Sequence, residues 1–204
     1  MIVSEITVIG AGPGGCTTAL SLAMRGIRVL MVDQATFPRD KVCGDALSGK
    51  VVLTLKRLNE DFPKELSFEP TVIASHGVSF IAPNGKVLSV PFRRELDPEN
   101  PPGFIAKRVD FDNWLFNKAA AHPLINIETG IRIENFVKEN DEWILSDKEK
   151  KFSIRTKLVV ASDGAHSRFA KEIGGVVMED EHYCAGLRGY YSGVKELNEN
   201  GFIE

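Results

Sequence analysis

The chain has 204 residues, 43% of them hydrophobic and 26% charged, enough for one large domain or for one domain plus part of another, with a sizeable core in either case. Its 25 Lys and Arg against 28 Asp and Glu leave a net charge of -3, so no broad basic field exists to hold nucleic acid or anionic lipid, and any phosphate binding is local. Cys16, Cys43 and Cys184 are odd in number, widely separated and without a CxxC pair. That argues against a disulfide framework or a zinc site and for a reducing compartment, the cytoplasm by default.

A first strand is expected over residues 6–9, so close to Met1 that it leaves no room for a secretory leader. Apolar runs such as residues 29–32 and 158–161 fall short of the roughly 20 residues that a spanning helix needs, so a soluble or at most peripheral protein is expected. A glycine loop at residues 10–15 leads into a helical stretch ending near Arg25, with Gly26 as stop signal. A second apolar run, residues 29–32, ends at Asp33, completing a βαβ pattern. Beyond a loop over residues 37–45, Val51, Val52, Leu55 and Leu58 fall at helical spacing.

Pro63 and Pro70 bracket an expected break. Residues 77–82 and 86–90 then flank Pro83-Asn84-Gly85, a hairpin signal because Asn-Gly tolerates positive φ at both turn positions. A second break from Pro98 to Gly103 leads to a short strand near Ile105. A helix then starts at about Asp110, its expected N-cap, with Phe111, Trp114, Leu115 and Lys118 on one stripe. Short strands with polar turns from Ile125 to Ile154 suggest a β-meander rather than another crossover. A strand at residues 157–161 meets Ser162-Asp163-Gly164, and a further β segment is expected over residues 185–194. His76, His122, His166 and His182 are scattered without metal-ligand spacing.

The strongest chemical signal is Gly10-Ala11-Gly12-Pro13-Gly14-Gly15, which satisfies GxGxxG between a strand and a helix. Gly10 permits the tight turn, Gly12 lets backbone approach a pyrophosphate, and Gly15 lets helix and strand pack closely. Cys16, Ala19 and Ala23 extend that small-residue face, and the helix N-terminus offers free N–H groups to phosphate. Asp33 stands 18 positions after Gly15, where a carboxylate accepts hydrogen bonds from an adenosine ribose, which favours NAD or FAD over NADP.

Taken with the loop Phe37-Pro38-Arg39-Asp40-Lys41-Val42-Cys43-Gly44, the Pro83-Asn84-Gly85 hairpin, Arg108 with Phe111-Asp112, and Ala161-Ser162-Asp163-Gly164-Ala165-His166-Ser167, the chain resembles the FAD-dependent oxidoreductases of the para-hydroxybenzoate hydroxylase fold, most closely their geranylgeranyl reductase branch. The resemblance implies an α/β fold: a Rossmann-like parallel sheet with a β-meander, interrupted by part of a mostly antiparallel substrate domain. The FAD-binding parts would be residues 1–70 and 105–177, the substrate-domain hairpin 71–104 and the start of a further substrate segment 178–204. It implies a cofactor-binding set of Gly10, Gly12, Pro13, Gly14, Gly15, Asp33, Gln34, Arg39, Lys41, Cys43, Gly44, Arg108, Asp163 and Gly164. In that set Asp163 would contact pyrophosphate and ribitol, and Arg108 the phosphate or adenosine side; read alone, Asp163-Gly164 is also a turn capping the next helix. Cys43 is the catalytic candidate, provided that its pKa is lowered; otherwise it is a small apolar filler.

The implied function is reduction of a carbon–carbon double bond in an isoprenoid-like or otherwise lipid-like substrate, with FAD as cofactor and NAD(P)H or another donor as reductant. The alternatives are a monooxygenase or halogenase of the same fold and a nonenzymatic prenyl-binding protein related to the Rab GDP-dissociation inhibitors. Two positions depart from or divide the family: Asp45 stands where the reductase branch has a second glycine, and Ala170 stands where many hydroxylases have an arginine. The family's third flavin motif, a Gly-Asp before small residues, does not follow Asp163-Gly164, and Gly44-Asp45-Ala46 spells it in the wrong order. A C-terminally incomplete catalyst is therefore expected.

Overall fold

Strand β1 (Ile2–Ile9) is rich in β-branched residues and buried over its last three. Its glycine-rich exit leads into helix α1 (Pro13–Ala23), which ends two residues before the expected Arg25. Gly26, at φ +80, turns the chain toward β2 (Val29–Asp33), whose first four residues are buried. The computed structural model describes residues 1–95, 97, 99–182, 184–195 and 201–203; Pro98 of the expected second break, and 183, 196–200 and 204 of the expected last segment, lie outside the described residues. Contacts divide the chain into two units, residues 1–39 with 112–185 and residues 40–111 with 186–204.

The second unit begins with β3 (Ala46–Leu47) and α2 (Gly49–Leu58). α2 buries Leu55 and Leu58 and leaves its other face in solvent, with Lys56 and Arg57 in the last turn, where cations favour the helix dipole. The chain does not break at Pro63: the ring fits the first turn of a short helix, α3 (Phe62–Ser67), because the missing N–H would have been unpaired there. β4 (Ile73–Ser75), β5 (Gly77–Ile81), β6 (Val87–Pro91) and β7 (Gly103–Ile105) follow.

The β5–β6 hairpin forms as expected, but by another turn. Positive φ falls on Gly85 and not on Asn84; Gly85 N–H donates to the Ala82 carbonyl (2.9 Å) and Ala82 N–H to that of Lys86 (2.8 Å). This is the three-residue loop that closes with glycine in the left-handed position. β7 lies between β3 and β4, both antiparallel to it, and Leu47, Leu55, Leu58, Leu66, Phe104 and Phe111 are among the buried apolar side chains of this unit.

Helix α4 (Arg108–Ala120) starts two residues before Asp110, which is therefore a first-turn acid and not the N-cap. After it, β8 (Ile125–Thr129) pairs parallel with β2. The expected meander consequently omits this strand and comprises β9 (Asn135–Glu139), β10 (Glu142–Ser146) and β11 (Ser153–Ala161). Asn140 and Asp141, both at positive φ, supply the two-residue turn between β9 and β10.

The resulting six-stranded sheet has the order β8-β2-β1-β11-β10-β9. β1 pairs parallel with β2 on one side and β11 on the other, so the chain's direction of winding reverses at β1. Ile9, Leu30, Val32, Ile133, Leu145 and Ile154 form a buried cluster bordered by Phe136, Trp143 and Phe169. Past β11 come α5 (Arg168–Glu172) and a single 3-10 turn at Asp180–His182. The strand expected over residues 185–194 does not form. The last strand is β12 (Phe202–Ile203), which adds to β5. Among the described residues no helix is long and apolar enough to cross a membrane.

α1 reaches the sheet so closely that a Cβ on Gly15 would lie 1.7 Å from the Gly10 carbonyl oxygen. Helix propensity alone favours alanine over glycine by about 1 kcal/mol, but a backbone carbonyl cannot swing aside as a side chain can. Gly15→Ala is therefore expected to destabilise, by at least about 1 to 3 kcal/mol as for overpacked core sites, read as a lowered midpoint in denaturant unfolding.

Candidate functional site

Three parallel strand ends and one helix start come together at the carboxyl edge of the sheet. Gly10 N–H donates to the Val32 carbonyl (2.7 Å) and Ser162 N–H to that of Ile9 (2.7 Å), tying the exits of β2, β1 and β11. Gly10 adopts φ +99, and a Cβ on it would lie 2.4 Å from the Ser162 oxygen and 2.9 Å from the Asp163 nitrogen. The two motifs most distant in sequence thus abut through backbone at the one residue without a side chain. Open α/β sheets bind ligands at this place, outside the carboxyl ends where the strand order reverses.

α1 has Gly12 as an extended N-cap, Pro13 in its first turn, no side-chain cap and no acid in that turn. Its first intrahelical bond runs from Cys16 N–H to the Gly12 carbonyl (2.9 Å), which leaves the N–H groups of Gly14 and Gly15 ahead of the ladder. Such an end offers donors and a partial positive charge that suit an anion. Cys16 donates its thiol to the Ala11 carbonyl (3.1 Å). Burial pushes its pKa up to about 12, helped by Asp112 and Asp33 and opposed by Arg39, so Cys16 fastens the loop rather than reacting.

Asp33 accepts from Ala11 N–H through Oδ2 (2.6 Å) and from Ala35 N–H through Oδ1 (2.8 Å). A carboxylate offers about four lone-pair sites, so the same group that shapes the glycine loop keeps acceptors for ribose hydroxyls. Asp163 divides its oxygens: Oδ2 accepts from Arg168 N–H (3.2 Å) at the start of α5, while Oδ1 is buried without a partner. Both readings of Asp163-Gly164 thus have a physical basis, a helix cap on one oxygen and an acceptor awaiting a hydroxyl on the other. The glycine cradle, the uncapped helix start and the orphaned oxygen together fit a dinucleotide with a pyrophosphate and polyol.

Of the expected site residues, Gly10, Gly12, Pro13, Gly14, Gly15, Asp33, Gln34, Arg39, Asp163 and Gly164 fall in the first unit, and Lys41, Cys43, Gly44 and Arg108 in the second. Gln34 is exposed and Arg39 half-buried; Lys41, Cys43 and Gly44 are exposed, and Arg108 is buried at the start of α4.

In the second unit sequence reasoning missed a cluster centred on Asp45. Its carboxylate accepts from Tyr190 Oη (2.7 Å) and from Arg108 N–H (3.3 Å) and lies 3.5 Å from Arg188 Nη1. Arg188 also bonds the Lys41 carbonyl (3.0 Å) and Asp40 (2.5 Å), and it holds the Asp40 carboxyl below the usual range. Desolvation, then the bond to Asp45, raises Tyr190 above the ordinary phenol value. Asp45 is therefore the anchor of the 40–45 loop. The signal was present in the sequence: a carboxylate where the family has glycine requires a partner, and Arg188 and Tyr190 were hidden by reading residues 185–194 as a strand.

The geometry defines a dinucleotide-binding α/β domain, and the comparisons give its family. Residues 3–190 match the FAD binding domain family, and the chain belongs to it. The chain is 29% identical to conditioned medium factor receptor 1 of Dictyostelium discoideum, over 98% of its own length and 40% of that protein. It is also 29% identical to geranylgeranyl diphosphate reductase of Rhodobacter capsulatus, over 81% of this chain and 39% of that one. Among solved structures, p-nitrophenol 4-monooxygenase from Pseudomonas putida matches with a TM-score of 0.70 at 21% identity, covering 85% of this chain and 44% of that chain; FAD-dependent halogenases and a probable monooxygenase share the fold. The chain spans about two fifths of the length of these curated relatives.

Asp33→Ala is expected to weaken FAD binding by about 1.5 to 3 kcal/mol, tenfold to a hundredfold, the size of hydrogen bonds to a charged group. Calorimetry giving an unchanged dissociation constant would show that Asp33 serves only Ala11 and Ala35. Asp45→Asn is expected to move the Tyr190 titration down toward the ordinary value, since the carboxylate that opposes phenolate formation is gone; ultraviolet titration against Tyr190→Phe assigns the change.

Proposed function

We propose that this chain is the FAD-binding part of an FAD-dependent oxidoreductase. The observation that supports it most is the buried, unpartnered Oδ1 of Asp163, next to the Gly10 contact and in line with the carboxyl ends of β1 and β2. A catalytically idle turn has no use for an orphaned acceptor there, and a ribitol hydroxyl supplies the missing donor. When bound, FAD supplies two-electron redox chemistry. The chain's own residues hold it: Gly14 and Gly15 N–H groups on the pyrophosphate, Asp33 on the ribose, Asp163 on the polyol. Lys41, Gly44 and Arg108 are proposed as further cofactor contacts, and the exposed thiol of Cys43 as a group lining the reacting end. Residues 71–104 and 178–204 are proposed as parts of a substrate domain, and NAD(P)H as the reductant.

Oxygen-dependent monooxygenation or halogenation is the reaction class with the broader support, because solved proteins of this fold are named for it. The second reading is reduction of a carbon–carbon double bond in an isoprenoid-like substrate, favoured by the geranylgeranyl diphosphate reductase relative and by Ala170 in place of the hydroxylases' arginine.

FAD reconstitution followed by absorption spectroscopy and calorimetry is expected to give a bound flavin and tighter binding of FAD than of NAD; NAD binding without FAD binding would overturn the proposal. Turnover with NAD(P)H by a longer protein that contains this chain, in air and without oxygen, separates the two chemistries. Hydroxylated or halogenated product only in air supports the first, and a saturated product under anaerobic conditions replaces it with the second.

A further inference from the structure

Arg39 is held from two sides and left open on a third. Its Nη1 lies 2.9 Å from Oδ2 of Asp112, whose side chain is fully buried, and its Cζ lies 5.1 Å from the centre of the Phe37 ring. Phe37 is itself stacked on Phe116 of α4, at 4.2 Å between centroids and 5° between planes, so the platform under the guanidinium is fixed. Nη2 points elsewhere: a Cβ placed on Gly12 would lie 3.1 Å from it. The open edge of the guanidinium is therefore at the N-cap of α1, beside the free N–H groups of Gly14 and Gly15. All these residues belong to the first unit.

The pairing is not that of a self-sufficient ion pair. Arginine and carboxylate prefer a two-pronged fork, yet the Arg39 nitrogen nearest Asp112, the buried Nη1, makes no hydrogen bond. The contact is Coulombic and fixes position without using the donors. A buried carboxylate costs several kcal/mol unless paired, so Asp112 restrains Arg39 strongly while the other edge stays available for a second anion. Gly12 acquires a second reason to be glycine: any side chain there crowds the guanidinium as well as the ligand.

We propose that Asp112 is a positioning residue that sets Arg39 as the cationic arm of a pyrophosphate site at the N-terminus of α1, so that the diphosphate is gripped by two backbone N–H groups from one side and one guanidinium from the other. This rests on the FAD reading above and names how the chain recognises the charged centre of that cofactor. A Lys at position 39 would not replace it, since an ammonium lacks both the flat face for Phe37 and separate donors for two anions.

The test is a double-mutant cycle read by calorimetry with FAD, ADP and adenosine as probes, with thermal unfolding recorded for each protein. If wild type binds neither FAD nor ADP, the FAD reading itself fails. If it binds, Arg39→Gln and Asp112→Asn are each expected to lose roughly tenfold to a hundredfold in FAD and ADP affinity with adenosine binding unchanged, and the double variant to lose no more than Arg39→Gln alone. Arg39 is partly exposed, so its variant keeps the inference testable should Asp112→Asn not fold. Equal FAD and ADP affinities in Arg39→Gln and wild type would overturn the inference, as would fully additive losses in the cycle.

Discussion

The structure depends on one contact between backbones. The Gly10 carbonyl sits where a Cβ of residue 15 would be, and the Gly10 α-carbon sits where Ser162 leaves room for hydrogen only. Helix α1 cannot approach β1 this closely with any other residue at position 15, and β11 cannot pass β1 at this height with any other at position 10. From that approach follow the position of the α1 N-terminus over the strand ends, the adjacency of Asp163 to the glycine loop, and the reach of Asp33 back to Ala11.

Charge at the site is sorted by what each group has to offer. Three acids gather around a helix end suited to anions, an arrangement that would repel a diphosphate if the acids were bare. None is. Asp33 faces two backbone N–H groups, Asp163 one, and Asp112 a guanidinium. What remains of Asp33 and Asp163 is acceptor capacity for hydroxyls, while the donors, Gly14, Gly15 and Arg39, collect at the helix start. Acceptors and donors are thereby separated by position, which is what the proposed FAD site requires.

The parts of this arrangement legible in the sequence are those set by local rules. Short apolar runs gave β1 and β2, GxGxxG between them gave the turn and helix, and the polar stretch holding Asn140-Asp141 gave a turn between two short strands. The missed parts come from partners remote in sequence. β8 looked like the first strand of a meander because its own residues do not reveal that β2 offers a parallel edge. Asp110 looked like a cap because a good capping residue two places inside a helix is indistinguishable from one at its end. Residues 185–194 alternate enough to suggest a strand, yet Arg188 and Tyr190 are engaged by Asp45, some 145 positions away for Tyr190, and that pairing holds them in irregular backbone. The Arg39–Asp112 contact, likewise, joins a loop to a helix across the whole interrupting segment.

The double use of Asp33 has a kinetic consequence. Because the carboxylate holds Ala11 and Ala35 by backbone bonds that need no ligand, the glycine loop gives up its conformational entropy during folding rather than during binding. A nucleotide then arrives at a ready-made cradle, and little of its interaction energy is diverted to ordering the protein. At such a site differences in affinity among nucleotides are expected to lie mainly in how fast they leave.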